Sequence, residues 1–307
     1  MILNLDFNPY INKICKVDLI NLGKENKSNF STYIPGGSII ISNFLGAFGE
    51  KSLITGFLGG LNGERYHRII FEKGLNHEFI SIKDETKIKL DIIDKRLNET
   101  SVLDKEPRVT RDDVKQFLVL YLELIINADL ICGTSDTLPT GLSSNIYFKL
   151  IKIANKNKKK FILQASGEVL KIAIDASPYM VVLDKEMLEY LTNIDFENEK
   201  EIIQGSNYIL QKGVEFVVIC MDDGGVLLLG QSKGYKIIGD GQLNTNDLRK
   251  VVAAFALGIS RDYDLDMTLR LAYAFNNYKN PDLTDEIDIS EIKKMMAQAD
   301  ISTLEYI

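Results

Sequence analysis

Four short apolar runs in the second half of the chain most constrain its fold, because each has the length and composition of a strand buried on both faces. These runs are Ala128–Gly133, Lys160–Gln164, Tyr179–Leu183 and Phe216–Cys220. Stretches with helical patterning separate them, including residues 143–158 and 198–212. Repeated strand–helix–strand units of this kind predict a mostly parallel, doubly wound α/β sheet with helices on both faces. Ligands bind such sheets at the carboxyl ends of the strands.

The first half of the chain predicts both more of this core and a second, smaller sheet. Met1–Phe7 is typical of another buried strand, and Ile39–Phe48 of an apolar helix that ends at a glycine. Two alternating segments lie within residues 15–34 and three more between Phe79 and Val102. Five short strands with this alternation favour an antiparallel sheet separate from the core, which would form a lid.

Charge and composition exclude several classes of protein. The net charge of −7 argues against a general binder of nucleic acids or anionic membranes, because such proteins carry a basic face. The first residues lack the pattern of a signal peptide, and no apolar run approaches the ~20 residues that span a bilayer, so we expect a cytoplasmic protein. Three cysteines without metal-type spacing indicate buried thiols, and two histidines disfavour a His-based zinc site or a Ser-His-Asp hydrolase.

The polar turn over residues 239–250 precedes a helix of small residues, Val251–Gly258. A helix start leaves unpaired backbone N–H groups, which make a natural anion site. We therefore expect a bound anion in front of this helix.

Several short motifs occur in the order found in one family of kinases. They are Gly56–Gly60 with Gly63 and Glu64, Glu85–Lys87, Asn98–Thr100, Leu138–Gly141 and Ala165–Leu170. From Asn8 to about Lys294 the chain resembles the phosphofructokinase B branch of the ribokinase-like sugar kinases, nearest in character to 1-phosphofructokinases and tagatose-6-phosphate kinases. The resemblance implies one ribokinase-like domain over residues 1–307, with a lid formed by about residues 12–34 and 79–104. It also implies ATP, Mg²⁺ and phosphoryl transfer to a ketohexose phosphate.

In that family a Gly-Ala-Gly-Asp turn at a helix start forms an anion hole, and its Asp deprotonates the sugar hydroxyl. Aligning Ala253–Phe255 with the family pattern puts Arg249 at the position of this base, and a register shifted by one residue puts Lys250 there. Neither cation is suited to accept a proton. Asp247 is the nearest acid, either as a relocated base or as a first-turn residue that complements the helix dipole. Asn244 and Asn246 fall on the cofactor side of the same turn.

On the substrate side the resemblance assigns five positions: Asn12, Lys27, Gly36, Gly37 and Lys87. Asn12 stands where the family has an Asp that binds sugar hydroxyls, and Gly36 and Gly37 keep a glycine pair. Lys27 and Lys87 stand where a cation holds the distal phosphate of the substrate. Both could equally be solvated lysines of the lid.

On the nucleotide side the matching positions are also altered. Asp184 begins the motif that organises magnesium in the family and is a candidate Mg²⁺ ligand, but Met187 cannot serve at the end of that motif. The family's Ser/Thr-x-Gly-x-x-Gly is represented by Cys220–Gly225, with Asp222 in place of the central glycine and Gly225 retained. A carboxylate at Asp222 would repel a triphosphate unless a cation intervenes.

Two functional classes follow from these substitutions. The first is a sugar-phosphate kinase whose turnover is weakened or lost. The second is a non-catalytic protein that binds a sugar phosphate, a nucleotide or a protein partner and acts in regulation. In either case we expect a homodimer through the lid, because the second face and the edges of that sheet need cover.

Overall fold

A ten-stranded sheet forms the centre of the molecule in the computed structural model, which describes residues 1–239, 247–279 and 286–304. In chain order the strands are β1 (Ile2–Asp6), β2 (Tyr10–Val17), β3 (Ser28–Gly36), β4 (Ser52–Gly59), β5 (Asn76–Ile82), β6 (Ile88–Asp94), β7 (Glu99–Leu103), β8 (Leu130–Ser135), β9 (Lys160–Ala165), β10 (Met180–Asp184), β11 (Phe216–Cys220), β12 (Val226–Gly230), β13 (Gly234–Ile238) and β14 (Asp300–Leu304). The α-helices are α1 (Ile39–Ala47), α2 (Gly60–Glu72), α3 (Arg111–Asn127), α4 (Ile146–Lys156), α5 (Gly167–Ala173), α6 (Lys185–Thr192), α7 (Glu199–Leu210), α8 (Leu248–Ser260), α9 (Leu265–Asn277) and α10 (Ile289–Ala297).

The strand order of the large sheet is β14-β13-β12-β11-β10-β9-β8-β1-β4-β5. The seven strands from β11 to β5 in this order pair in parallel, which confirms the mostly parallel sheet predicted from the apolar runs. Strands β12, β13 and β14 extend it in antiparallel fashion. The apolar pattern alone did not predict this extension.

Apolar side chains bury both faces of the sheet. Leu3 and Ile131 contribute to a cluster that includes residues of α3, α4 and α7. Their strand neighbours Ile2 and Cys132 belong to a second cluster with residues of α1, α8 and α9. Because successive strand residues point to opposite faces, continuous apolar strands fill both layers, and the helices on both faces are confirmed. None of the described helices is long and apolar enough to cross a membrane.

A separate four-stranded sheet forms the lid, with the order β3-β2-β6-β7. The prediction of an entirely antiparallel lid was wrong, because β2 and β6 pair in parallel. The assignment of Phe79–Ile82 to the lid was also wrong. These residues belong to β5, which follows α2 in a strand–helix–strand unit and pairs in parallel with β4 at the edge of the large sheet.

Candidate active site

A cavity of about 190 Å³ lies where the carboxyl ends of β1 and β8 meet the lid. The cavity thus lies at the edge where parallel sheets usually bind ligands. The cavity is lined by Asp6, Asn8, Tyr10, Gly37, Ser38, Lys87, Lys89, Leu103, Thr134, Ser135, Asp136, Thr137, Gln164 and Arg249.

Arg249, the second residue of α8, lies in this cavity with 18% of its side chain exposed. Its Nε is 2.7 Å from Asp247 Oδ1 and its Nη2 is 3.0 Å from Asp247 Oδ2, so the pair is bidentate. Its Nη1 also lies 3.8 Å from Asp136 Oδ2. Burial opposes the charged form, but the Asp247 carboxylate raises the pKa of Arg249 above its ordinary value. Arg249 is therefore a fixed cation in the cavity.

Asp247 serves the start of the helix as well as the guanidinium. It is the N-cap of α8, and its Oδ1 accepts a hydrogen bond of 3.2 Å from the Arg249 backbone N–H. Burial is the largest single cause and raises the pKa of Asp247, but the charge and the hydrogen bonds of Arg249, together with the charge of Lys250, hold this pKa below its ordinary value. These contacts favour helix capping over the role of a relocated base. The carboxylate also takes up part of the anion site predicted at this helix start.

Lys250 is directed away from the cavity. Its side chain is buried, and its Nζ donates a hydrogen bond of 2.9 Å to the Tyr278 carbonyl oxygen. Burial lowers the pKa of Lys250. Of the two residues between which the sequence registers left the choice open, Arg249 lines the cavity and Lys250 does not.

Asp6, the last residue of β1, brings a carboxylate into the cavity that sequence reasoning did not single out. Its Oδ2 accepts a 2.6 Å hydrogen bond from the Ser38 N–H, and its Oδ1 accepts one of 3.3 Å from the Asn8 N–H. Burial raises the pKa of Asp6 to about 6, although these amides and the charge of Arg249 oppose the shift. An acidic residue at the carboxyl end of a central parallel strand was the signal that could have identified it.

Gly37 makes room for that carboxylate. Its φ of +97° lies in the left-handed region, and a Cβ at this position would be 2.3 Å from Asp6 Oδ2. Gly36 meets a different neighbour, because a Cβ there would be 2.2 Å from the Tyr10 ring. Of this predicted glycine pair, Gly37 lines the cavity, and Gly36 supports Tyr10, which does.

Lys87 lines the cavity, but a carboxylate that was not predicted from the sequence already pairs with it. Its Nζ is 3.0 Å from both carboxylate oxygens of Glu106, and only 5% of the Lys87 side chain is exposed. Asn8 Nδ2 donates to the same carboxylate and, at 2.7 Å, to Thr137 Oγ1. A substrate phosphate at Lys87 would have to compete with Glu106.

Two other predicted substrate residues do not line the cavity. Lys27 is exposed on the connection between β2 and β3. Asn12 lies in β2, where its Nδ2 donates a 2.8 Å hydrogen bond to Asp91 Oδ2 within the lid. The structure therefore brings Gly37, Lys87 and Arg249 together and leaves Asn12 and Lys27 outside.

The predicted nucleotide-side residues lie at strand ends farther along the sheet. Asp184 caps α6 through a 2.9 Å hydrogen bond from the Met187 N–H to its Oδ1, and Cys220 is fully buried in the core. Asp222 is exposed in the turn after β11, and the Gly225 N–H donates to Asp223 Oδ1 at 2.8 Å. Asn244 and Asn246 fall outside the described residues. Within the described part of the chain, no three His, Cys, Asp or Glu side chains are grouped to hold a metal ion.

Two buried amide oxygens in the cavity lining suit a hydroxylated ligand. Asn8 Oδ1 and Gln164 Oε1 accept no hydrogen bond from any described residue, whereas Gln164 Nε2 donates to Asp136 Oδ1 at 3.1 Å. A buried acceptor without a donor is costly, and a ligand hydroxyl would satisfy it. The cavity thus combines hydroxyl acceptors, paired cations and a buried carboxylate.

Comparison with known proteins agrees with this architecture. Residues 10–275 match the family described as pfkB family carbohydrate kinase. The 1-phosphofructokinase of Bacillus subtilis (strain 168) is 26% identical over 275 residues, which are 88% of this chain and 89% of that protein. The solved structure of a possible 1-phosphofructokinase of Thermotoga maritima has a TM-score of 0.86 at 19% identity and 99% coverage of both chains. The tetrameric inhibited form of phosphofructokinase-2 of Escherichia coli has a TM-score of 0.85 at 18% identity, over 96% of this chain and 98% of that one. The chain therefore belongs to the pfkB family of carbohydrate kinases.

Proposed function

We propose that this protein binds a sugar phosphate in the cavity at the ends of β1 and β8 and transfers the γ-phosphoryl group of ATP to one of its hydroxyls. Membership of the pfkB family and the similarity to a 1-phosphofructokinase support a ketohexose phosphate as the acceptor. The observation that carries the proposal is the cavity lining. It combines two amide oxygens that lack a hydrogen-bond donor among the described residues with the cations Lys87, Lys89 and Arg249. We expect slow turnover, because Arg249 replaces the carboxylate at the start of α8.

The described side chains suggest how the two substrates are held. Asn8 and Gln164 accept hydrogen bonds from sugar hydroxyls, and Lys87 exchanges part of its contact with Glu106 for the phosphate of the sugar. Arg249 stabilises the negative charge of the transferring phosphoryl group, because its guanidinium is already oriented by two bonds to Asp247. Phosphoryl transfer depends mainly on positioning and charge stabilisation, so an active site built on these residues is chemically reasonable.

ATP and Mg²⁺ are expected for a kinase of this family. We propose that the Asp184 carboxylate binds the Mg²⁺ ion, either directly or through a water molecule. One of its oxygens binds the Met187 N–H, which leaves the other for the ion or for its water. Mg²⁺ is usually held by one or two carboxylates together with substrate phosphates and water. Because no acidic cluster exists among the described residues, this donor set fits an ion that arrives with the nucleotide. The metal would neutralise part of the phosphate charge and so reduce the repulsion between the triphosphate and Asp222.

The second candidate function is binding without turnover, as in a regulatory protein. The observation that favours it is the position of Asp247, whose carboxylate binds both the N–H and the guanidinium of Arg249. An internal carboxylate at the helix start competes with any phosphate that would bind there. In this case the protein binds a sugar phosphate or a nucleotide, and a partner protein binds the complex.

Phosphorus NMR with ATP, Mg²⁺ and fructose 1-phosphate distinguishes these two functions. The kinase proposal predicts equal amounts of ADP and a sugar bisphosphate, formed only when both substrates are present. Saturable binding of fructose 1-phosphate in isothermal titration without any bisphosphate supports the binding protein. Neither binding nor turnover across ketohexose phosphates contradicts both.

We also propose a homodimer through the lid and a cytoplasmic location, where ATP and sugar phosphates are available. Strand β7 is exposed along its whole length, and the lid exposes the large apolar side chains Phe30, Val102 and Leu103. An edge and apolar surface of this kind need cover. Light scattering at micromolar concentration should give a dimer mass that Val102→Glu reduces. A wild-type monomer would contradict the dimer.

A further inference from the structure

Asp6 and Arg249 line the same cavity with opposite charges and do not pair. No ion pair to Asp6 is formed by the described residues within 4 Å, and its carboxylate is held instead by the backbone N–H groups of Ser38 and Asn8. Arg249 is near enough for its charge to lower the pKa of Asp6. Because both side chains line the same cavity, a ligand bound there can contact both.

The other carboxylates near the cavity are engaged elsewhere. Both oxygens of Asp247 bind the Arg249 guanidinium, and Glu106 binds Lys87 with both of its oxygens. Asp136 accepts a hydrogen bond from Gln164, and 66% of its side chain is exposed to solvent. Asp6 is the carboxylate of this group that is both buried, at 4% exposure, and free of a cationic partner in the described structure.

We propose that Asp6 is the general base of the phosphoryl transfer, so that the acid lost from the start of α8 is replaced by one at the end of β1. This inference rests on the proposed kinase function. The sugar hydroxyl oxygen forms a bond to the γ-phosphorus of ATP, and the bond from that phosphorus to the bridging oxygen breaks. The electron pair of the broken bond goes to the β-phosphate of ADP. The hydroxyl proton goes to the Asp6 carboxylate and leaves to solvent after the products depart.

The surroundings of Asp6 suit this role. A pKa of about 6 leaves it ionised at neutral pH and a better proton acceptor than an ordinary Asp. Charged groups from the neighbouring elements also face the cavity, namely Arg249, Lys87, Lys89 and Asp136. Buried Tyr66 and Tyr147 lie close enough for the charge of Asp6 to raise the pKa of each, although burial is the larger cause. The glycine at 37 and the Ser38 N–H fix the position of the carboxylate.

Asp6→Asn tests the proposal, since it keeps the shape of the side chain and removes the proton acceptor. With ATP, Mg²⁺ and fructose 1-phosphate, we expect kcat to fall by about 10² to 10⁴ while the Kd for fructose 1-phosphate changes little. The wild-type kcat should rise with pH to a plateau above about pH 6, and the residual kcat of Asp6→Asn should not show this rise. The kcat of Asp247→Asn, a variant that disturbs Arg249, should still show it. Asp112→Asn, an exposed carboxylate on α3, is the control for surface charge.

The outcomes separate this inference from the function on which it rests. If the wild type turns over and Asp6→Asn retains more than a tenth of its kcat, Asp6 is not the base, although the protein is still a kinase. A wild-type rate independent of pH between 5 and 8 contradicts the inference without any variant, so a misfolded variant does not prevent the test. If the wild type forms no ADP, both the kinase function and the base are refuted.

Discussion

Asp6→Asn should change the pH dependence of stability, whatever its effect on activity. The pKa of Asp6 is about 6 in the folded protein against an ordinary value of 3.8, because burial disfavours its charge. An acid with a raised folded-state pKa binds its proton more tightly in the folded chain. Below pH 3.8 Asp6 is protonated in both states and does not lower the free energy of unfolding. As the pH rises from 3.8 towards 6, the free energy of unfolding decreases.

The size of this loss follows from the two pKa values. Their difference of about 2.2, at 1.36 kcal/mol per unit, gives about 3 kcal/mol above pH 6. At pH 4 the loss is only about 0.5 kcal/mol, so the free energy of unfolding of Asp6→Asn relative to wild type should improve by about 2.5 kcal/mol from pH 4 to pH 8. For a chain of 307 residues, with ~2.1 cal/mol/K of unfolding entropy per residue, this corresponds to a relative Tm gain of about 4 °C.

Urea unfolding of both proteins at pH 4 and pH 8 measures this difference directly. Effects of the variant that do not depend on pH, such as a weaker hydrogen bond from the Ser38 N–H, cancel in the comparison between the two pH values. Asp112→Asn on the surface of α3 should show no comparable change. The same relative stability of Asp6→Asn at pH 4 and pH 8 would refute a desolvated carboxylate at this position.

Two further predictions concern the neighbours of Asp6 and Lys87. Glu106→Gln removes the carboxylate that pairs with Lys87. The Kd for fructose 1-phosphate in isothermal titration should therefore fall about threefold to tenfold. An unchanged or higher Kd contradicts a role of Lys87 in phosphate binding. Gly37→Ala should destabilise the protein by at least about 2 kcal/mol in urea unfolding, since it adds a contact of 2.3 Å to Asp6 Oδ2 to the strain of a positive φ. Gly74→Ala is the matched control, with a φ of +68° and no atom within 4 Å of the added Cβ, and should cost less; equal losses would show that the Asp6 contact is unimportant.

Most of the fold could be predicted because the central strands are apolar on both faces. That pattern fixes a parallel sheet between two layers of helices, and it was recognisable in runs such as Phe216–Cys220. The edges were harder. Phe79–Ile82 is half-buried and alternating, so local pattern did not distinguish the edge of the large sheet from the lid. Only its parallel pairing with β4 decides between them.

The family motifs mark some of the residues that line the cavity. They do not reveal an acidic side chain that another segment of the chain brings to the cavity. Arg249, Lys87 and Gly37, which the motifs mark, line the cavity. Asp6 and Glu106 were missed, because neither occupies a position at which the family motifs expect an acid. Asp6 comes next to Gly37 only through the meeting of β1 with the end of β3, and Glu106 reaches Lys87 across 19 residues. Such contacts depend on tertiary structure, which sequence spacing alone does not reveal.

The rate of phosphoryl transfer by Arg249→Asp tests the proposed roles of Asp6 and Arg249 most directly. This variant places a carboxylate where the sequence comparison predicts the base of the family, and Arg249→Gln serves as its neutral control. If Asp6 takes the proton and Arg249 stabilises the transferring group, ADP formation with fructose 1-phosphate should fall at least about tenfold in both variants. A rate for Arg249→Asp above that of the wild type would show that Arg249 merely replaced the base, and would contradict the assignment of Asp6 as the base.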